Sequence, residues 1–301
     1  MKIETIEKTE QLNVFSIKQK LIDYSQLIKV RLTLLVVFSA VLTYATAARH
    51  QGIVWFDFMI LTIGGLLVTG SANGINQIIE RNYDKLMKRT LNRPVATKRM
   101  GITEAAITCF ILGVSGVVLI GKFLNPLAGT IALISLFMYA FIYTPMKRIS
   151  SFSVFVGAFP GAFPVLIGYT AYTGFITTES LILFSVQFFW QFPHFWSLAW
   201  ILDEDYKRAG FKLLPTHNKD KTSAFITLAF TLCLIPVGIL PSFEGHTGLI
   251  SALIATVCGI VLTFYSFRLF KTCDNKDARK LMFGAFLYLP IVQLAYLFDK
   301  I

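Results

Sequence analysis

The stretch that decides the fold reads MILTIGGLLVTGSANGINQIIERNYDKLMKRTLNRP and covers residues 59–94. Its apolar first half approaches the length that an α-helix needs to cross the hydrocarbon core of a membrane. Asn76, Glu80 and Asp84 then follow at intervals of four residues. Because side chains at this spacing share one face of a helix, an amide oxygen and two carboxylates should point the same way. This oxygen-rich face suits a hard cation such as Mg²⁺.

A dense group of cations follows this helix face, namely Lys88, Arg89, Arg93, Lys98 and Arg99. Carboxylates that hold a metal, beside guanidinium groups that grip phosphate oxygens, are what a metal-bridged diphosphate requires. The alternative interpretation is a helix end that enters water with ordinary solvated charges. Charges at such ends are usually mixed without order, so the spacing favours the site.

The composition places the chain in a membrane. Of its 301 residues, 55% are hydrophobic and 15% are charged, whereas soluble domains carry about 25% charged residues. The mean hydropathy is +0.63. The four cysteines form no CxxC pair, so neither a disulfide framework nor a zinc site is expected. The N-terminus lacks the apolar core of a signal peptide and is too acidic for a transit peptide.

Hydropathy predicts an all-α integral membrane protein with nine transmembrane helices. Of the 28 Lys and Arg residues, 25 lie in one set of connections between the spans, and only Arg49, Lys122 and Lys300 lie in the other set. The positive-inside rule therefore places the N-terminus in the cytoplasm and explains the net charge of +11 without nucleic acid. We expect a cytoplasmic segment 1–28 and one polytopic membrane domain, 29–301. The predicted spans are 32–48, 57–75, 103–121, 127–143, 152–172, 181–201, 224–241, 248–267 and 281–298.

A second charged cluster follows the sixth span, where Asp203, Glu204 and Asp205 precede Lys207 and Arg208. It leaves the membrane on the same side as the first cluster, so the two could face each other across a central cavity. Opposed acids could hold Mg²⁺ around one diphosphate and neutralise the charge that builds on a leaving group. A polar loop of mixed charge is the alternative.

Polar residues and glycines inside the spans indicate where helices pack. Asn73, Gln187, Gln191 and His194 should face the bundle interior, because unpaired polar groups are costly in lipid. The aromatic residues around His194 either line an apolar chamber or face lipid. Close helix approach is expected at two GxxxG pairs, Gly70 with Gly74 and Gly157 with Gly161.

Taken together, these motifs resemble the UbiA-type intramembrane prenyltransferase superfamily. Residues 76–94 are similar to its first signature, NxxxDxxxD followed by RTxxRP. Four further stretches resemble the branch that farnesylates haem B. They are Asp23-Tyr24 with Lys29-Val30-Arg31, Met87-Lys-Arg-Thr, Pro193-His194-Phe195 with Leu198-Ala199, and Asp205-Tyr206 with Ala209-Gly210 and Leu214-Pro215.

The resemblance implies a helical bundle around a central cavity and transfer of a farnesyl group from farnesyl diphosphate to a vinyl group of haem B. Haem B is then a substrate, Mg²⁺ the cofactor, the inner membrane the location and haem A synthase a downstream partner. Asn76, Glu80, Asp84 and Asp205 are expected to bind Mg²⁺ and act in catalysis. The expected substrate-binding residues are Arg31, Arg89, Arg93, Lys98, Lys207 and His194, and His194 is assigned to the porphyrin.

The chain departs from the family pattern at three positions. Glu80 stands where the family usually has Asp, and Val30 stands where the branch often has Pro. Ile201 precedes Asp205 by four residues, so the acid pair of the second signature is absent unless Asp203 or Glu204 replaces it. Two other functions compete with haem farnesylation: prenylation of an aromatic ring in quinone synthesis, and secondary transport. Transporter sites tend to lie near the membrane midplane, whereas both acid clusters here are expected at the cytoplasmic side.

Overall fold

The computed structural model describes residues 17–301, and the described chain is helical almost throughout. Residues 17–27 form a first helix, which leads into the long helices. The preceding part of the expected cytoplasmic segment, 1–16, lies outside the described residues. The remaining helices are α1 (Val30–Ala47), α2 (Trp55–Asp84), α3 (Ile102–Phe123), α4 (Pro126–Phe137, continued by a π-helical turn Met138–Tyr143 and by Thr144–Met146), α5 (Ser153–Thr173), α6 (Thr178–Ile201), α7 (Asp203–Arg208), α8 (Lys221–Leu232), α9 (Leu234–Phe243), α10 (Leu249–Thr272) and α11 (Asn275–Phe298).

Each predicted span coincides with a helix or, for α8 and α9, a helix pair that together cover 221–243. Within the described residues, eight of these segments are long and apolar enough to cross a membrane. The exception is α6, which has 24 residues but carries Gln187, Gln191 and His194. The all-helical membrane fold is confirmed, whereas the count of nine crossings stays a prediction.

Local sequence accounts for where several helices begin. The Asn125 side chain accepts a hydrogen bond from the Ala128 N–H, and Pro126 occupies the first turn of α4. Thr177 forms a capping box with Ser180 at the start of α6. Side-chain oxygens at these positions satisfy backbone donors that have no partner within the helix, so they fix the first turn.

The glycines of α2 let it pack closely on its neighbours. A Cβ atom added at Gly74 would lie 2.3 Å from the Cys109 Sγ of α3, and one at Gly70 would lie 3.2 Å from the Ile28 Cβ. A side chain at Gly74 would therefore require Cys109 to move. The expected close approach of the helix that carries Asn76 is confirmed, as small-residue packing in membranes predicts.

A π-helical turn interrupts the fourth membrane segment near the acidic end of α2. It covers Met138–Tyr143 and is followed by Thr144 and then by Pro145, which has no backbone N–H to donate. Single π-turns inside helices occur frequently at functional sites. Here the turn leads to Thr144 and Lys147, both of which contact residues of α2.

Asn73, Gln187 and Gln191 are buried inside the spans, as expected, whereas His194 is partly exposed. Asn73 donates to the Thr33 Oγ1 at 3.1 Å. Gln187 donates to the Gly161 carbonyl at 2.7 Å and accepts from Gln293 at 2.9 Å. These bonds link α1, α2, α5, α6 and α11, so the polar groups stabilise the bundle from inside rather than face lipid.

Candidate active site

The three predicted ligands on α2 are all buried near its C-terminal end. The helix runs unbroken to Asp84, and the exposed fractions of Asn76, Glu80 and Asp84 are 1%, 4% and 0%. Their four-residue spacing therefore does place them along one helical face. Burial of two carboxylates at a helix end requires partners of opposite charge.

Cations from other segments supply these partners. Glu80 forms an ion pair with Lys147 from the segment after α4. The Arg93 Nη1 lies 2.8 Å and 2.9 Å from the two carboxylate oxygens of Asp84. The Lys29 Nζ donates to the Asn76 Oδ1 at 3.1 Å. The site thus joins the C-terminal end of α2 to the segments before α1, after α2 and after α4.

Hydrogen bonds fold the chain after α2 back over the helix end. The Thr90 Oγ1 donates to the Asp84 carbonyl at 2.9 Å, and the Met100 N–H donates to the Pro94 carbonyl at 3.1 Å. The Asn76 Nδ2 donates to the Thr144 Oγ1 at 3.2 Å. These bonds fix Arg93 beside Asp84 and fix the amide oxygen of Asn76 toward Lys29.

The second acidic cluster lies against this loop. The backbone N–H of Arg89 is 3.4 Å from the Asp205 Oδ2, and Asp205 also pairs with Arg208. Beneath them, Met87 packs in one buried cluster with Ala209 and Phe211. The ends of α2 and α6, distant in sequence, therefore meet at one end of the molecule, as the sequence predicted.

A tyrosine, Tyr206, lies near the charged groups of both clusters. The hydroxyl of Tyr206 lies where burial raises its pKa, and the charges of Arg89, Glu80, Arg93 and Asp205 all act on it. Lys29 is in a similarly enclosed position, because burial and the neighbouring charge of Arg93 hold its pKa well below the ordinary lysine value. Charged groups of α2, of the loop after it and of α7 therefore all lie near Tyr206.

The other predicted substrate-binding residues make no ion pair with Glu80, Asp84 or Asp205 among the described residues. Lys98 and Arg31 are exposed. Lys207 pairs with Asp203 at 3.0 Å and lies 3.5 Å from the Asn218 Oδ1. Arg99, which the sequence placed in the cationic group, instead donates to the Asp23 Oδ1 at 2.9 Å. Of the predicted phosphate ligands, Arg93 contacts an acid of α2 through its side chain, while Arg89 approaches Asp205 through its backbone.

His194 lies within α6, before the helix reaches the second acidic cluster, and is surrounded by aromatic rings. Its ring stacks on Trp190 with centroids 4.8 Å apart, and its buried Nδ1 has no hydrogen-bond partner among the described residues. This atom therefore makes no hydrogen bond to a backbone carbonyl of the described residues. Phe192 is fully buried and Trp196 nearly so, which excludes a lipid-facing position for these two rings.

Sequence reasoning did not single out two of the cations that contact the predicted ligands, Lys29 and Lys147. Lys29 was noted only as part of a motif, and Lys147 was not distinguished from the other charges of the connecting segments. A lysine directly at the end of an apolar span, after a Thr-Pro step, is a weak signal that could have identified Lys147. The pairing itself has no local signature, because it joins segments far apart in sequence.

The donor set fits Mg²⁺ in its chemistry. Asn76, Glu80, Asp84 and Asp205 offer only oxygen ligands, which this hard cation prefers. Among the described residues, no three His, Cys, Asp or Glu side chains already converge as a metal site would require. The carboxylates are instead paired with Lys147, Arg93 and Arg208.

The fold and this pocket define a polytopic helical membrane protein with acids and cations gathered at one end of its bundle. Residues 35–289 match the UbiA prenyltransferase family. The chain belongs to this family and is therefore a transferase of the prenyltransferase class. The resemblance to this family that the motifs indicated is confirmed.

Similar proteins extend the comparison. The chain is 50% identical over 279 residues to protoheme IX farnesyltransferase of Cytophaga hutchinsonii, covering 92% of this chain and 97% of that protein. It is 40% identical over 294 residues to the enzyme of the same name from Flavobacterium johnsoniae, covering 96% and 97%.

Solved structures share the fold. The digeranylgeranylglyceryl phosphate synthase structure has a TM-score of 0.74 at 21% identity, covering 93% of this chain and 98% of that one. A UbiA homolog from Archaeoglobus fulgidus, bound to GPP and Mg²⁺, has a TM-score of 0.62 at 15% identity, covering 91% and 99%.

Proposed function

We propose that this chain transfers the farnesyl group of farnesyl diphosphate to a vinyl group of haem B. The allylic C–O bond breaks, a C–C bond forms to the vinyl carbon, water adds to the neighbouring carbon, and diphosphate is released with haem O as product. The observation that carries the proposal is the pocket in which the end of α2 meets Asp205 beside Arg89 and Arg93. The two protoheme IX farnesyltransferase relatives support haem as acceptor.

The cations of the pocket have a direct role in this proposal. Arg89 and Arg93 bind diphosphate oxygens, and a guanidinium fork suits this planar, bidentate contact. Lys29 contacts Asn76, and Lys147 contacts Glu80. Both lysines add positive charge beside the proposed diphosphate position. Fixed cations aimed at the leaving group stabilise the negative charge that develops as the C–O bond breaks.

Mg²⁺ is the proposed cofactor, held by Asn76, Glu80, Asp84 and Asp205. When bound, it would neutralise diphosphate charge and favour its departure. Lys98, Lys207 and Arg31 remain proposed phosphate contacts at the rim of the pocket. With Mg²⁺ bound, the carboxylates that pair with protein cations would hold the metal instead, and the cations would be free to bind the diphosphate.

The acceptor is proposed to lie along α6. The buried Nδ1 of His194 has no partner among the described residues, so this histidine is available to contact the porphyrin. Phe192 and Trp196 belong to a buried aromatic cluster that also includes Val154 and Ala158. Such an apolar surface excludes water and protects an allylic cation until the vinyl carbon adds.

The location follows from the charge distribution. We propose the cytoplasmic membrane, with the N-terminus and the pocket on the cytoplasmic side, because nearly all Lys and Arg residues lie in that set of connections. A haem A synthase that consumes haem O is the proposed downstream partner.

The experiment is incubation of membranes containing the chain with haem B and labelled farnesyl diphosphate, followed by separation of the pigments. We expect label in a less polar haem and none after Asp84→Asn, which removes one ligand charge. Asp57→Asn is the matched control, because it makes the same change at the opposite end of α2 and should retain turnover. Label that enters only a quinone precursor, or full turnover by Asp84→Asn, would contradict the proposal.

A further inference from the structure

A groove with apolar walls runs along the outer surface between α10 and α11. It encloses about 640 Å³. Its walls include Val257, Val261, Phe283 and Leu287, whose exposed fractions are 59%, 44%, 58% and 57%. Exposed side chains of this kind face the acyl chains of the membrane, so the groove is open to lipid.

The two helices approach closely beside the groove, at a residue without a side chain. A Cβ atom added at Gly284 would lie 3.0 Å from the Leu262 Cδ2 and 3.2 Å from the Tyr265 Cδ2. Outside this close contact, the lining side chains of the two helices leave a depression on the surface. A flexible apolar chain can occupy such a depression, whereas a flat helix face offers it no walls.

One end of the same groove is cationic. Lys276, Arg279 and Lys280 line it, and all three are exposed. Their spacing of three and four residues places them on one face of α11. The neighbouring Asp277 is buried and already engaged, because it accepts from Thr272 at 2.8 Å and pairs with Arg268 at 3.3 Å.

The described part of the protein places little negative charge beside Lys276, Arg279 and Lys280. Asp277 is 4.0 Å from Lys280, and no ion pair engages Lys276 or Arg279 within the described part of the chain. They also lie in the first turns of α11, where the helix dipole disfavours positive charge. Topology explains an excess of Lys and Arg on this side of the membrane, but not their convergence on a groove.

We propose that this groove binds one anionic phospholipid, with its phosphate on Lys276 and Arg279 and an acyl chain along Val257, Val261 and Leu287. The arrangement of the groove, cationic at one end and apolar along its length, matches this amphiphile. Juxtamembrane cations attract anionic headgroups of the cytoplasmic leaflet. The Lys219 Nζ donates to the Asn275 Oδ1 at 3.2 Å, which ties the start of α11 to the loop that follows α7.

Native mass spectrometry of the detergent-solubilised full chain tests the proposal. Phosphatidylglycerol and phosphatidylcholine with identical acyl chains are titrated in parallel. We expect one tightly bound phosphatidylglycerol and weaker binding of phosphatidylcholine. The double variant Lys276→Gln/Arg279→Gln should bind phosphatidylglycerol roughly thirty-fold more weakly, as expected for the loss of two headgroup cations. Equal affinity for the two lipids would overturn the proposal.

Two matched controls separate the groove from general charge and bulk. Lys18→Gln/Lys85→Gln removes two exposed cations that lie outside α10 and α11 and should leave phosphatidylglycerol affinity unchanged. Val261→Trp fills the apolar wall and should weaken binding without a change of charge. Val114→Trp, at a similarly exposed position of α3, should have no effect. Equal losses in the two charge variants, or wild-type affinity of Val261→Trp, would show that the lipid binds elsewhere.

Discussion

At the scale of single residues, the pocket is a set of ion pairs made across distant parts of the chain. Glu80 and Lys147 have exposed side-chain fractions of only 5% and 10%. An ion pair so enclosed gives up much of its hydration, and its attraction only partly restores that loss. The intact pair therefore contributes little net free energy to folding, whereas the loss of one partner would leave a buried charge unpaired.

A double-mutant cycle tests this view of the pair. Lys147→Gln leaves the carboxylate of Glu80 buried without its cation and should reduce the free energy of unfolding by about 3 kcal/mol. The double variant Glu80→Gln/Lys147→Gln should recover most of that loss, because two neutral amides remain. The measurement is thermal unfolding of the purified chain in detergent. Additive effects of the two substitutions would show that the side chains are not coupled.

The residues of the pocket differ in how far the sequence could predict them. Asn76, Glu80 and Asp84 share a face because of helical spacing, which is a local rule. Lys147 lies beside Glu80 only because α4 ends against α2, which no local pattern states. Lys98 was expected in the cationic group, but the chain turns there with a φ of 62° and leaves the side chain exposed.

At the scale of elements, the position of α2 depends on its close contact with α3. This contact forms at Gly74, where an added Cβ would overlap the Cys109 Sγ at 2.3 Å. The Ser71 Oγ also donates to the Cys109 carbonyl at 2.7 Å. Asn76 lies half a turn beyond Gly74, so the packing of α2 and the placement of the ligands are coupled.

Replacement of Gly74 tests this coupling. Gly74→Ala should destabilise the chain by roughly 1–3 kcal/mol through overpacking. Removing the opposing sulfur in Gly74→Ala/Cys109→Ala should restore most of that stability. Gly101→Ala is the control, since its nearest neighbour would be the Glu104 Cβ at 4.0 Å. Unfolding midpoints in detergent check the series. A Gly74→Ala variant with the wild-type midpoint would show that Cys109 and α3 can shift without loss of stability.

The elements were more predictable than the contacts between them. Apolar length located every long helix, and the small-residue pairs indicated the close approach of α2. The π-helical turn of Met138–Tyr143 was not foreseen, because its hydrogen-bond shift depends on packing rather than on composition. The apolarity of α6 fell short because the helix carries three polar residues, Gln187, Gln191 and His194.

At the scale of the whole molecule, the two ends of the bundle have different tasks. One end gathers the acids of α2 and α7 with their cations. The other end holds a buried carboxylate, Glu179, that accepts a hydrogen bond from the Tyr169 hydroxyl at 2.7 Å and pairs with Lys300. This contact joins the start of α6 to Lys300, the second residue after α11, so it closes the bundle far from the pocket.

Because the ends are separate, stability and substrate binding should respond independently. Lys300→Gln leaves Glu179 buried without its cation and should reduce the free energy of unfolding by about 3 kcal/mol. Affinity for farnesyl diphosphate should stay unchanged, since the pocket lies at the other end of α6. Lys122→Gln removes an exposed cation from the same end as Lys300 and should alter neither quantity. Thermal unfolding and equilibrium binding in detergent measure the two effects. A weakened diphosphate affinity in folded Lys300→Gln would show that the two ends of the bundle are coupled.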